Sequence, residues 1–249
     1  NKNVSVPATT ASAVYIYDLD SGSVLYEKNS DERFYPASTT KLMTALTAID
    51  IYETDQVLTI KSGKSIGNTV HLRIGNKLTV ENLLNALLIN SGNDAALALA
   101  ENHPDGYGGF INQMNQKTVV LGLTDTRFAN PSGLVNPNHY TTAKDLTIIA
   151  KEAISNALIR KIVATKQLEI SDITGKLKYP LISTNQLLGF EGVKGLKTGW
   201  TPESKEVLVS FVERNGHTII VTVLNSDDRF GESKRLIDWV YNNFTWETI

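Results

Sequence analysis

Strand-forming segments gather at the two ends of this chain and helix-forming segments fill its middle, an order that few folds accommodate. Near the start, Ala13-Val14-Tyr15-Ile16-Tyr17-Asp18 and Val24-Leu25-Tyr26 flank Asp20-Ser21-Gly22, which predicts a two-stranded hairpin. Near the end, Glu206 to Val212 and Thr218 to Leu224 meet across Asn215-Gly216, a hairpin dipeptide. Val163 to Ile170, Leu177 to Tyr179 and Gly195 to Thr198 read as further strands. Helical periodicity runs from about Ser38 to Ile51, Phe110 to Leu121 and Ala143 to Ala157, with Thr79 capping another helix and Asp94 to Glu101 forming the next. A last amphipathic helix, about Gly231 to Asn243, directs Leu236, Ile237, Val240 and Phe244 inward, and the first ten residues read as a loose arm. The expectation is an α+β fold: an antiparallel sheet built from both chain ends, flanked by helices, with an inserted, mostly helical lobe and a cleft between. One domain over 1–249 is expected, with a sheet lobe at about 11–50 and 160–249 and a helical lobe at about 51–159.

Composition removes several functions. Lys and Arg total 24 against 26 Asp and Glu, so no electrostatic case exists for nucleic acid, and no long basic run appears. The absence of cysteine rules out disulfides, thiolate catalysis and Cys-ligated metal. His71, His103, His139 and His217 are scattered without ligand spacing, so no metal and no cofactor is expected, and these side chains read as surface or loop histidines. The most apolar window, Leu83 to Ile89, is too short to cross a membrane, and no signal peptide is expected within this chain, which opens with Asn1-Lys2-Asn3 and no apolar run.

Three short strings carry chemistry: Ser38-Thr39-Thr40-Lys41, Ser91-Gly92-Asn93 and Lys197-Thr198-Gly199. Ser38 and Lys41 stand one turn apart at a helix start, on one face. A serine hydroxyl needs a base, and a lysine serves as one only when burial or a second cation lowers its pKa. The helix start adds free N–H groups for a developing oxyanion. Taken alone, S-x-x-K is more often an N-cap followed by a surface lysine. Ser91-Gly92-Asn93 joins two helices; it is either a plain turn or a pair of polar side chains that relay a proton and hold a substrate amide. Lys197-Thr198-Gly199 lies on a strand, where Lys197 and Thr198 can bind a carboxylate and Gly199 lets a peptide lie alongside. The N–H of Trp200 would pair with that of Ser38 as an oxyanion hole. A phosphate-binding loop at Gly192 to Thr198 fails, because Leu196 stands where glycine is required. No G-x-S-x-G surrounds any serine.

The three strings in this order match the signature of class A β-lactamases and penicillin-binding proteins. Over nearly its whole length the chain resembles the serine-type D-alanyl-D-alanine carboxypeptidases, the low-molecular-mass penicillin-binding proteins. The likeness rests on Tyr35-Pro36-Ala37-Ser38-Thr39-Thr40-Lys41-Leu42-Met43-Thr44-Ala45, on Ser91-Gly92-Asn93-Asp94-Ala95-Ala96, on Phe128-Ala129-Asn130-Pro131-Ser132-Gly133-Leu134 with His139 to Leu146, and on Gly195 to Thr201. The resemblance implies Ser38 as acylated nucleophile, Lys41 as base, Ser91 as a catalytic relay and Asn93 in the cleft. It further implies Lys197, Thr198 and Gly199 on the terminal carboxylate and backbone of the substrate, and Trp200 completing the oxyanion hole. The substrates implied are peptidoglycan stem peptides ending in D-Ala-D-Ala, with β-lactam antibiotics as acylating inhibitors, in an extracytoplasmic setting. The family usually continues with Ala-Gly where this chain has Ser204-Lys205, and many members carry a further β-rich domain and membrane anchor that are not expected here.

Three functions share these motifs: a DD-carboxypeptidase, a β-lactamase on the same fold, and a module that is acylated and stalls. A class A β-lactamase needs a glutamate to activate the deacylating water, and none is evident near Ser132. The extended likeness, including S-G-N, favours the carboxypeptidase.

Overall fold

The computed structural model describes residues 5–63 and 65–246. Its centre is a five-stranded antiparallel sheet ordered β2-β1-β9-β8-β7, built from Ala13–Asp18 (β1), Val24–Lys28 (β2), Val193–Thr201 (β7), Lys205–Arg214 (β8) and His217–Ser226 (β9). The two chain ends meet in the register Ala13–Leu224 to Asp18–Ile219. Asn215 and Gly216 both take positive φ, so a two-residue turn joins β8 to β9 with a twist that suits the strands.

Alternation along the strands divides the core. Val14, Ile16, Val221 and Val223 pack with Leu236, Ile237 and Val240 of helix α7 (Arg229–Asn243). Tyr15, Ile220, Val209 and Phe211 face the other way, into the larger core that includes Ile149, Ala150 and Ala153 of α5 (Ala143–Ser155). Thr147 on α5 and Thr222 on β9 share a 2.7 Å hydroxyl hydrogen bond across that contact.

The remaining helices form the second half of the cleft. They are α1 (Lys41–Ile51), α2 (Val80–Leu88), α3 (Asn93–Glu101), α4 (Gly106–Val120) and α6 (Ala157–Val163). Two short ribbons, β3 (Val57–Thr59) with β4 (Lys77–Thr79) and β5 (Gln167–Ser171) with β6 (Lys178–Ile182), complete it. Thr79 caps α2 by accepting the N–H of Asn82, as expected of its position.

Three local expectations change. Val163 ends a helix and does not open a strand: Asn156 accepts the N–H groups of Leu158 and Ile159, and Ile159, Ile162 and Val163 bury on one helical face, so β5 begins only at Gln167. Of the arm, Asn1 to Val4 lie outside the described residues, but Val6 packs on the α7 face and the Thr10 and Ala11 N–H groups bond to the buried Glu232 carboxylate. The histidines are not all superficial, since His139 is 1% exposed and His103 is also buried.

Candidate active site

Tyr35-Pro36 leads into a 3-10 turn over Ala37–Thr40 that runs straight into α1. Ser38 sits within that turn and makes no capping bond to the backbone. Its Oγ lies instead 2.9 Å from Lys41 Nζ, one turn on. Lys41 is fully buried, and Nζ also donates to the carbonyl oxygen of Ser132 at 2.7 Å. Burial, and then the charge of Lys197, hold the Lys41 pKa well below that of an ordinary lysine, opposed only by Asp94. The N-cap reading of Ser38 and the surface reading of Lys41 therefore both fail.

The Ser132 carbonyl is placed by a side chain that sequence reasoning passed over. Asn130 Oδ1 accepts the N–H groups of Ser132, Gly133 and Leu134 at 3.2, 2.8 and 3.1 Å, folding the loop around one amide. Gly133 has φ +89, and a Cβ there would stand 1.8 Å from the Ala37 carbonyl oxygen, so only glycine lets this loop reach the nucleophile turn. Thr44 Oγ1 donates to the Pro131 carbonyl at 2.6 Å, and the Ala129 N–H donates to His139 Nδ1 at 3.2 Å. With Nδ1 accepting, His139 is neutral and its Nε2–H donates to Thr40 Oγ1 at 2.8 Å. Burial, with Lys41 adding repulsion, lowers the His139 pKa to about 4.

The Ser91-Gly92-Asn93 joint is more specialised than a turn. Ser91 takes a left-handed φ of 59, whereas Gly92 has φ −63. Glycine is needed at 92 for space: a Cβ would meet Val70 at 2.6 Å and the Ala86 carbonyl at 3.2 Å. Asp94 holds the joint against the facing segment, its carboxylate accepting the N–H groups of Val70, Leu72 and Ala95. Asn93 Nδ2 donates to Ile66 O at 2.6 Å, while its Oδ1 is buried without a partner among the described residues. A buried, unpaired amide oxygen is costly, and it is a ready acceptor for a ligand N–H.

Lys197, Thr198 and Gly199 lie on β7, the edge strand of the sheet, paired with Val209, Leu208 and Val207. A Cβ at Gly199 would stand 2.9 Å from the Ala37 side chain and 3.0 Å from the Ser38 nitrogen, so the strand lies directly against the nucleophile turn. Lys197 is fully buried and its pKa falls to about 7, through desolvation and then the nearby Arg229 charge. Thr198 Oγ1 shares a 2.7 Å hydrogen bond with Thr184 Oγ1, and the Thr184 N–H donates to Ile89 O, which ties β7 to the Ser91 joint. Trp200 turns its indole outward, 60% exposed.

Arg229, in the first turn of α7, was not legible as a site residue. Its Nη1 donates to the Gly199 carbonyl at 2.7 Å, its Nε is buried without a partner among the described residues, and its charge bears on Lys197. No string announces it, because 30 residues separate it from Gly199. Ser204-Lys205 also finds its explanation here. Ser204 Oγ accepts the Thr201 N–H at 2.9 Å and closes the β7–β8 turn, and Lys205 adopts φ 50 in that turn, paired through Nζ with Asp227.

A serine hydroxyl against a buried lysine amine, facing an edge strand across a cleft between sheet and helices, defines the DD-peptidase class of fold. The likeness to solved structures agrees: the Streptomyces K15 DD-transpeptidase superposes with a TM-score of 0.90 at 33% identity, over 96% of this chain and 100% of that one. A penicillin-binding protein homologue from Mycobacterium tuberculosis gives 0.91 at 28% identity, over 100% of this chain and 97% of that one. The D-alanyl-D-alanine carboxypeptidase family model matches residues 1–228, and the chain belongs to that family. It is 34% identical to the D-alanyl-D-alanine carboxypeptidase DacF of Bacillus subtilis over 98% of this chain, and spans 65% of the length of that relative. The D-alanyl-D-alanine carboxypeptidase of Streptomyces sp. strain K15 is 36% identical over 90% of this chain and 83% of its own length.

Proposed function

We propose that the chain is a serine DD-carboxypeptidase domain that removes the terminal D-Ala of peptidoglycan stem peptides through an acyl-enzyme on Ser38, and that β-lactams acylate the same serine. The observation that carries this reading is the 2.9 Å approach of Ser38 Oγ to a fully buried Lys41 whose pKa is lowered. Neutral Lys41 takes the Ser38 proton as Oγ attacks the carbonyl of the penultimate residue. The N–H groups of Ser38 and Trp200 receive the oxyanion, which Gly199 permits by letting β7 approach the nucleophile turn. Ser91 passes a proton to the leaving amine, and Asn93 Oδ1 accepts a substrate amide N–H. Lys197 and Thr198 bind the terminal carboxylate, and we add Arg229, whose charge reaches Lys197 and whose Nε is uncommitted. Water then attacks the acyl-enzyme and frees Ser38.

A β-lactamase would need a carboxylate to activate that water rapidly. The one carboxylate whose charge bears on Lys41 is Asp94, and three backbone N–H donors already occupy it. This supports slow release of a penicilloyl adduct. We also read the sheet and helical lobes as one catalytic domain and the setting as extracytoplasmic; among the described residues no helix is long and apolar enough to cross a membrane. The test is D-Ala release from a D-Ala-D-Ala peptide with and without penicillin, with mass spectrometry of the adduct. Penicillin-sensitive release and one adduct on the Ser38 peptide are expected. Rapid recovery after penicillin would establish the β-lactamase instead, and acylation with no D-Ala released from any peptide would establish a sensor.

A further inference from the structure

At the side of the sheet farthest from β7, helix α5 lies across β9 and β1 and leaves the edge strand β2 open. A cavity of about 240 Å³ forms there between strand and helix. Its floor is Tyr15 and Tyr17, on one face of β1, with ring centroids 6.4 Å apart and planes within 9° of parallel. Val24 of β2 pairs with Tyr17 and extends this floor outward, 46% exposed. The facing wall is one stripe of α5, with Lys144, Thr147, Ile148 and Lys151 spaced i, i+3, i+4 and i+7. The polar groups on these walls are unequally engaged. Thr147 Oγ1 is committed to the Ala143 carbonyl and to Thr222. Lys144 pairs with Asp31 at 3.2 Å, and Glu27, opposite Tyr15, accepts the Ser30 hydroxyl. Neither tyrosine hydroxyl has a hydrogen bond among the described residues, and Lys151 has neither a hydrogen bond nor an ion pair there. Its ammonium stands 5.4 Å over the Tyr17 ring, so the Tyr17 end of the cavity carries an unopposed positive charge.

We propose that this cavity is an exosite for a single sugar ring bearing an acidic group, separate from the catalytic cleft. A pyranose has apolar C–H faces and a polar rim, so it lies against an aromatic ring while its hydroxyls bond sideways, here to the Tyr15 and Tyr17 hydroxyls. A carboxylate or phosphate on that ring meets the Lys151 ammonium. The volume lies below the roughly 300–1,000 Å³ of sites for drug-sized ligands, which fits one ring with the rest of a chain outside. Three strand spacings, about 14 Å, separate β1 from β7. A dipeptide spans only about 7 Å, so the terminal pair of a peptide in the cleft does not reach this cavity. A polymer carrying acidic sugars does, and its capture here raises the effective concentration of its other groups at the cleft. The exosite does not depend on the carboxypeptidase reading, because no residue of the cleft takes part in it.

The test titrates the isotope-labelled full chain with N-acetylmuramic acid, N-acetylglucosamine 6-phosphate and neutral N-acetylglucosamine, read by amide chemical shifts and by calorimetry. At least one acidic sugar should bind roughly two- to fivefold more tightly than the neutral one, the range for one exposed ion pair. The shifts should centre on Ala13–Asp18 and on residues 144–151. A preference for the carboxylate identifies sugar acids as the source and a preference for the phosphate identifies phosphorylated sugars; either supports the site. Lys151→Gln should bring acidic and neutral sugars to equal affinity. Tyr17→Leu keeps apolar bulk but removes the flat ring, and it should weaken all three. No binding of any sugar, equal affinity for acidic and neutral sugars, shifts confined to the catalytic cleft, or a preference that survives Lys151→Gln would each overturn the exosite. D-Ala release from a short D-Ala-D-Ala peptide should be unchanged in both variants, and a loss of release that parallels the loss of sugar binding would make the effect one of folding and overturn the assignment. Acid-selective binding with no release by the unmodified chain keeps the exosite and sinks the carboxypeptidase; release without sugar binding does the reverse.

Discussion

The two walls of the cleft each bury a lysine, and they hold it by different means. On the helical wall Lys41 is fixed by contacts to Ser38 and to the Ser132 carbonyl, and that loop is itself folded around Asn130. On the strand wall Lys197 is fixed by sheet pairing with Val209, and its Nζ bonds only to the adjacent Thr198 carbonyl at 3.1 Å. Among the described residues neither has a carboxylate partner, so each carries a desolvation penalty that lowers its pKa. The difference lies in what remains free. Lys41 touches the Ser38 hydroxyl, which suits proton transfer. Lys197 keeps bonding capacity toward the cleft and gains positive potential from Arg229, which suits an anion.

Exchanging each lysine for arginine breaks this comparison most sharply. Lys41→Arg keeps the charge but cannot lose its proton, so penicillin acylation should fall by about 10²–10⁴-fold, the range for a lost general base. Lys197→Arg should retain far more, because an anion site requires only charge and donors. Near-equal losses, measured by stopped-flow acylation, would mean that the two walls do not differ in role.

The next effect sharpens the anion assignment. Amidating the C-terminus of a D-Ala-D-Ala peptide should lower kcat/KM by about 1.5–3 kcal/mol in transition-state terms, and Lys197→Ala should remove most of that discrimination. Because the Lys197 pKa lies at about 7, kcat/KM should decline as pH rises through neutrality and Lys197 loses its charge. Full discrimination persisting in Lys197→Ala would move the carboxylate site elsewhere, with Arg229 the first place to look.

Asp94 tests what holds the helical wall together. Asp94→Asn leaves one acceptor oxygen for N–H donors from Val70, Leu72 and Ala95, and should destabilise the protein by about 1–3 kcal/mol in urea unfolding. On the sheet side the buried Glu232 carboxylate holds a comparable position, accepting the Thr10 and Ala11 N–H groups and the Ser226 hydroxyl. A stability change below the measurement error would show that packing around Gly92 suffices.

The effect at His139 is absent at neutral pH and confined to acid. Its pKa is depressed from 6.5 to about 4, so the unfolded chain binds the proton more readily and stability is lost as pH falls from about 6.5 through 4. His139→Gln can still donate and accept, and it should flatten that part of the stability curve with little change at pH 7. An unchanged acid limb in thermal melts would assign it to other groups.

Much of the fold was legible because it rests on local signals. The Asn215-Gly216 hairpin, the Thr79 cap and the alternation of β1, β8 and β9 are matters of backbone propensity and period, which neighbouring residues determine. The Val163 segment was misread because a run rich in Ile and Val fits a strand, and only the Asn156 cap and the burial of Ile159 and Ile162 select the helix. At the site, Ser38, Lys41, Ser91, Asn93, Lys197 and Thr198 announced themselves as short strings.

The sequence by itself determined which short strings offer the residue types for such chemistry, the order of strands and helices, and the spacing that sets Lys41 one turn after Ser38. Only the tertiary structure decided that Lys41 and Lys197 are both fully buried, that Asn130 folds the loop whose Ser132 carbonyl meets the Lys41 amine, and that His139 is neutral and ties its loop to Thr40. It alone brought Arg229 to Gly199. The physical reason is range: periodicity and capping act within a few residues, whereas desolvation and charge coupling depend on what the folded chain brings within a few ångströms, however far apart in sequence.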